Sequence, residues 1–145
     1  MNTTPLIGTW FLREAYAIAP DGERLYDVYG ARPTGVIHYG DDGRMMALIT
    51  HDGRERLDGD RQAAPESQRA QAYKSSIAYA GAFSLADGWV SHAVDMSTYP
   101  NWVGTVLRRA FRFEQGDVVL TTAPQIQDGV ETVIKLVWQR QPVQH

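Results

Sequence analysis

The 145-residue chain has no cysteine, which removes disulfide frameworks, zinc–thiolate sites and cysteine nucleophiles at once. It has no basic run. Its 14 Lys and Arg against 17 Asp and Glu give a formal charge of -3 with the signs interspersed, so nothing tracks a phosphate backbone and nucleic acid is not an expected partner. Long apolar runs are also missing: none approaches the roughly 20 residues that a membrane-spanning helix needs. The opening MNTTPLIGTW has no charged n-region followed by an apolar h-region. A cytoplasmic protein that does not meet the membrane is the expectation. The four histidines never fall at H-x-H or H-x-x-x-H spacing, so no metal site is expected. Without a glycine-rich phosphate loop or G-x-S-x-G there is no case for a nucleotide, for nucleophilic hydrolysis or for any cofactor.

What the chain does have is period-2 alternation of apolar and polar residues, punctuated by D-G, Q-G and G-D signals. At 43% hydrophobic it supports one domain spanning 1–145. Eight strands are read at 8–17, 34–40, 44–50, 77–86, 89–97, 105–114, 117–123 and 131–140, with one helix at 64–76 between strands 3 and 4. Three connections are tight: GDDG at 40–43, Asp87-Gly88 and Gln115-Gly116. They alternate strictly with long ones at 18–33, 51–76, 98–104 and 124–130. In a meander, this alternation places tight turns at one end and long loops at the other. The expected fold is all-β: an eight-stranded antiparallel up-and-down barrel, closed at one end and decorated at the other.

Turn register then assigns faces. A two-residue turn at Asp87-Gly88 opposes Ala86 to Trp89, Phe83 to His92, Gly81 to Val94 and Tyr79 to Met96, an inward set that is apolar apart from His92. The turn at Gln115-Gly116 opposes Phe113 to Val118, Phe111 to Leu120 and Arg109 to Thr122, which sends Arg109 inward and Arg108 and Arg112 outward. Ile134, Leu136 and Trp138 face inward on the last strand. On the first, Trp10, Leu12, Glu14 and Tyr16 share the inward face. The four-residue turn beside His38 and Tyr39 allows either face for them.

Several stretches, in order, resemble the small bacterial lipocalin-like domain family: Gly8-Thr9-Trp10, D-G-R-M at 42–45, Y-x-G at 79–81, V-S-H-x-V at 90–94, Y-P-N-W-x-G-T at 99–105, R-R-x-F at 108–111 and W-x-R at 138–140. The resemblance spans nearly the whole chain. It implies a barrel with a central cavity for a small, largely apolar molecule, and an Arg140 that packs over Trp10 to seal the base. Such barrels include passive carriers as well as isomerases, hydratases, cyclases and lyases, so the fold alone does not name an activity.

The inward polar residues carry two readings each. His92 is either a core histidine bonded to a neighbour or, facing a ligand, a proton shuttle near neutral pH. An inward Arg109 is costly to bury alone, so either Glu14 neutralises it or a ligand oxygen does. Glu14 itself is that partner, or a general acid or base with a raised pKa. Tyr16, Tyr39, His38, Tyr79, Met96, Phe111 and Thr122 are the expected walls of a ligand site. The open-end loop TYPNWVG adds Asn101 as an amide and Trp102 as a cover, or else packs on the helix. Binding of a small hydrophobic molecule bearing a polar or anionic group is the first expectation, with His92 and Arg109 as anchors. The alternative is a cofactor-free isomerase, cyclase or lyase in which His92, Glu14 and Arg109 do proton-transfer chemistry. A barrel filled by its own side chains is a third option, and a homodimer is compatible with the sequence.

Overall fold

Both residues of two tight turns take positive φ: Asp87 at 53° with Gly88 at 81°, and Gln115 at 53° with Gly116 at 88°. That conformation matches the right-handed twist of paired strands and closes two-residue hairpins. A computed structural model of the protein describes residues 5–127 and 129–144. Among the described residues there are ten strands: β1 Gly8–Ile18, β2 Arg24–Asp27, β3 Thr34–Tyr39, β4 Arg44–Thr50, β5 Ser76–Ala86, β6 Trp89–Ser97, β7 Val106–Glu114, β8 Asp117–Thr122, β9 Gln125–Gln127 and β10 Val130–Gln139. Neighbours run β1-β3-β4-β5-β6-β7-β8-β10, and β10 pairs back onto β1, so eight strands close an antiparallel barrel. Closure leaves those eight strands no free edge.

The eight expected strands all form, within a residue or so of their expected bounds. The exposed β2 on β1 and the three-residue β9 on β10 were not expected; both are too short to show a period. Because β2 precedes it, the helix α1, Glu66–Lys74, falls between the fourth and fifth strands of the chain, not between the third and fourth. It is also shorter than expected and has no buried residue. A 3-10 turn at Pro100–Trp102 lies in the β6–β7 connection.

Two irregularities decide which side chains reach the interior. On β1, Leu12 pairs with Trp138 but Glu14 pairs with Val137, so Arg13 is an extra residue. Before this bulge Trp10 and Leu12 are buried; after it Ala15 and Ala17 are. An inserted residue exchanges the two faces of everything beyond it. Glu14 and Tyr16 therefore lie on the outer face, which corrects their inward assignment. Between β5 and β6, Gly81 pairs with Val94 but Ala80 with Met96, making Asp95 extra. Tyr79 consequently opposes Ser97, and Met96 faces outward at 58% exposure. Gly81 is required there, since a Cβ would stand 1.9 Å from the Ala93 carbonyl oxygen.

The other hairpin pairings stand as expected, including Phe83 with His92 and Arg109 with Thr122. Ala86 does oppose Trp89, but Trp89 belongs to the outer face, where the Arg108 guanidinium lies 4.5 Å from its ring centroid. Positions 83 and 86 are three apart, so period 2 puts them on opposite faces.

The core runs from Leu6, Trp10 and Trp138 through Ile37, Met45, Val90 and Val118 to Leu120 and Leu136. At the base, Trp10 Nε1 donates to the Leu6 carbonyl at 2.9 Å. The Arg140 guanidinium covers the Trp10 ring at 3.6 Å and donates to the Pro5 carbonyl at 2.8 Å. The opposite end carries the long connections with β2, α1, the 3-10 turn and β9.

Candidate functional site

His92 is fully buried at the middle of β6, its ring held between two tyrosine hydroxyls. Tyr39 Oη lies 2.7 Å from Nε2 and Tyr79 Oη lies 3.0 Å from Nδ1. The three side chains come from three strands: Tyr39 ends β3 near the base, Tyr79 lies on β5, and His92 lies on the adjacent β6, opposite Phe83. Phe83 packs edge-on against Tyr39 with centroids 4.9 Å apart. Both ring nitrogens are thus partnered by neighbours, which is the core-histidine arrangement.

Burial, reinforced by the charge of Arg109, lowers the His92 pKa to about 3, so the imidazole is neutral at physiological pH. Burial raises Tyr79 to about 12 and Tyr39 well above its usual value. Tyr79 is half-buried, where Tyr39 is fully buried. All the members of this cluster are therefore uncharged except Arg109.

Arg109 shares its face with buried Val90, its partner on β6, and with Thr122 on β8. Its positive charge reaches Tyr29, Tyr39, Tyr79 and His92, and its Nη1 donates to the Arg108 carbonyl at 3.2 Å. Glu14 does not reach it: that carboxylate binds Arg24 at 2.8 Å on the outside of the barrel, with Arg13 at 3.8 Å. Among the described residues no carboxylate forms an ion pair with Arg109.

The mouth above this cluster is aromatic. Trp102, delivered by the 3-10 turn, meets Tyr79 edge-on at 5.3 Å and Tyr99 at 5.8 Å. Tyr29, on the connection between β2 and β3, packs against the core and touches the His51 ring at 5.0 Å. Its loop is tied down where Asp52 N–H donates to the Tyr29 carbonyl. Sequence reasoning missed Tyr29 because a loop residue has no period to read. Its neighbourhood, Val28-Tyr29-Gly30, was the available signal, since two large apolar side chains before a turn glycine are unusual in a solvated loop.

The structure gathers Tyr39, Tyr79, His92, Arg109 and Trp102, with Phe111 beside them on β7, half-buried against the core. Thr122 lies level with Arg109, but its hydroxyl oxygen already accepts from the Ile134 N–H at 3.0 Å. Asn101 is exposed on the 3-10 turn. Four expected residues lie outside the barrel. Tyr16 stacks under Arg24 at 3.9 Å, and Glu14 pairs with the same arginine. His38 faces outward, its Nδ1 2.9 Å from the Thr9 hydroxyl, and with Met96 it lines an outer groove of about 610 Å³ floored by Met46, Leu48 and Ala80. Among the described residues no three His, Asp or Glu side chains cluster to hold a metal, and no helix is long and apolar enough to cross a membrane.

The family match agrees with this architecture. Residues 7–141 match a family model described as a lipocalin-like domain. A protein of Aspergillus oryzae named 4'-hydroxy-3'-methoxypropiophenone carrier protein is 32% identical over 102 residues, covering 63% of this chain and 86% of its own. A crystal structure of an uncharacterized protein from Bacteroides eggerthii aligns over 89% of this chain and 97% of its own, at 14% identity and a TM-score of 0.40.

Proposed function

The chain belongs to the lipocalin-like domain family, and from that premise we propose that its barrel binds a small, largely apolar molecule which presents an oxygen acceptor or anionic group to Arg109. The observation that carries this reading is Arg109 itself: an inward guanidinium, among aromatic side chains, with no carboxylate partner among the described residues. A half-buried cation whose one side-chain hydrogen bond among the described residues goes to the Arg108 carbonyl favours a counter-charge or further acceptors. Tyr29, Tyr79, Phe83, Phe111 and Trp102 supply the apolar and aromatic walls that an aryl group prefers. The name of the Aspergillus oryzae relative, a carrier of an aryl ketone, supports the same chemistry.

The rival reading, cofactor-free proton transfer by an isomerase, cyclase or lyase, finds less support. His92 holds its neutral form down to about pH 3 and has both nitrogens engaged, and Glu14 lies outside the barrel. A general base working near neutrality needs a pKa closer to the operating pH.

Titration with anilinonaphthalene sulfonate, an anionic aromatic probe, tests the proposal. One saturable site is expected, weakened roughly tenfold in Arg109→Met, as for the loss of one charge-assisted hydrogen bond. The neutral analogue phenylnaphthylamine should bind both proteins equally. Absence of saturable uptake of either probe would sink the binding reading in favour of a filled barrel.

A further inference from the structure

The hydrogen-bond inventory of the buried cluster does not close, and the remainder points in one direction. Two tyrosine hydroxyls and one neutral imidazole carry three exchangeable protons. The contacts at 2.7 Å and 3.0 Å use two of them. One O–H is left over, and the histidine tautomer decides which tyrosine owns it. With the proton on Nε2, His92 donates to Tyr39 and Tyr79 donates to Nδ1, which strands the Tyr39 O–H. Tyr39 is 0% exposed and packed by Phe83 and His92, so the stranded donor would carry its full desolvation cost. With the proton on Nδ1, Tyr39 donates to Nε2 and His92 donates to Tyr79. The spare O–H then belongs to Tyr79, the half-buried residue below Trp102 at the mouth.

We infer that Tyr39, His92 and Tyr79 form a one-way donor chain, with His92 fixed as the Nδ1–H tautomer, and that the chain aims the Tyr79 hydroxyl proton at a carbonyl or other oxygen acceptor of the ligand. Tyr79 and Arg109 are then two donors converging on one oxygen, and ligands that offer only a donor at that point are rejected. Tyr39 and His92 are positioning residues that act through Tyr79. This rests on the binding reading above and deepens it by naming the group that is recognised.

The tautomer is read directly from nitrogen chemical shifts of the His92 ring in the ligand-free protein. A protonated-type Nδ1 with a pyridine-type Nε2 is expected; the reverse assignment overturns the chain whatever the protein binds. Selectivity is read with a matched pair of probes: 4'-hydroxy-3'-methoxypropiophenone and its deoxy counterpart, in which a methylene replaces the ketone carbonyl. The parent should favour the ketone by more than about tenfold, since the carbonyl accepts from both Tyr79 and Arg109, and Tyr79→Phe should cut that preference about tenfold, the worth of one hydrogen bond in a dry site, while leaving the deoxy compound unaffected. A preference undiminished in Tyr79→Phe overturns the role of Tyr79. Failure of both probes to bind, beside a correct tautomer, counts against the binding reading and leaves the donor chain standing.

Discussion

The Arg140 guanidinium lies 3.6 Å from the Trp10 ring centroid and passes directly over Gly8, where an added Cβ would stand 2.6 Å from Arg140 Nη1. The G-x-W glycine and the late arginine are thus one device: the glycine leaves the space through which the arginine seals the base.

A double-mutant cycle checks this. Gly8→Ala carries two costs, the strain of an alanine at φ 120° and the collision with Arg140. Arg140→Ala removes the second cost only. Each single substitution should lower urea stability by about 1–3 kcal/mol, and the double should cost less than the sum by roughly 1 kcal/mol. Strict additivity would mean that the two residues do not share the space.

Gly81→Ala should be the more damaging glycine substitution. Its methyl would meet Ala93 O at 1.9 Å and Ala93 C at 2.7 Å, both backbone, with no flexible side chain to move. A loss of about 3 kcal/mol or more in chemical denaturation is expected. A near-neutral result would show that β5 and β6 pair without the Asp95 bulge.

Acid should destabilise the fold through His92. The unfolded imidazole binds a proton below about pH 6.5, whereas the folded one resists until about pH 3. The unfolded state therefore binds more protons between these values, so the contribution is complete above about pH 6.5 and is lost as the pH falls toward 3. The slope reaches at most about 1.4 kcal/mol per pH unit. His51, whose pKa is lowered by burial and by Arg54, adds in the same sense. His92→Gln should flatten the slope of denaturation midpoint against pH below 6; an unchanged slope would place the titration elsewhere.

Removing Arg109 should move its neighbours in one direction. Its charge lowers the pKa of Tyr29, Tyr39, Tyr79 and His92, so Arg109→Met should raise all four. For His92 the rise starts from about 3 and stops short of 6.5, because burial, the larger cause, persists. Ring-proton titration by NMR measures it, and an unmoved His92 would show that the guanidinium points away from the cluster.

Barrel, closure and turn register were legible because two-residue turns fix pairing absolutely: Arg109 opposite Thr122 and Phe83 opposite His92 follow from counting outward from a glycine. Counting fails only where a residue is inserted. Gly81, a glycine inside a strand, was a readable sign of the Asp95 bulge. Arg13 left a subtler one, since the small apolar residues Ala15 and Ala17 are out of step with Trp10 and Leu12. The His92–Tyr39–Tyr79 cluster became readable only once Tyr39 was known to face inward, and the four-residue turn beside it carries no parity. The outward Glu14 removes the counter-ion that sequence reasoning offered Arg109, and that single shift raises the weight of the ligand as its partner.

The Arg13 bulge also sets how thick the wall is. Below it the first strand gives the interior an indole and a leucine; above it, two methyl groups, while a carboxylate and a phenol hang outside. In an unbroken strand Glu14 and Tyr16 would project into the upper barrel at the height of the mouth. One surplus residue therefore leaves the inner face of that side of the barrel lined, above the bulge, by the smallest side chains of the strand.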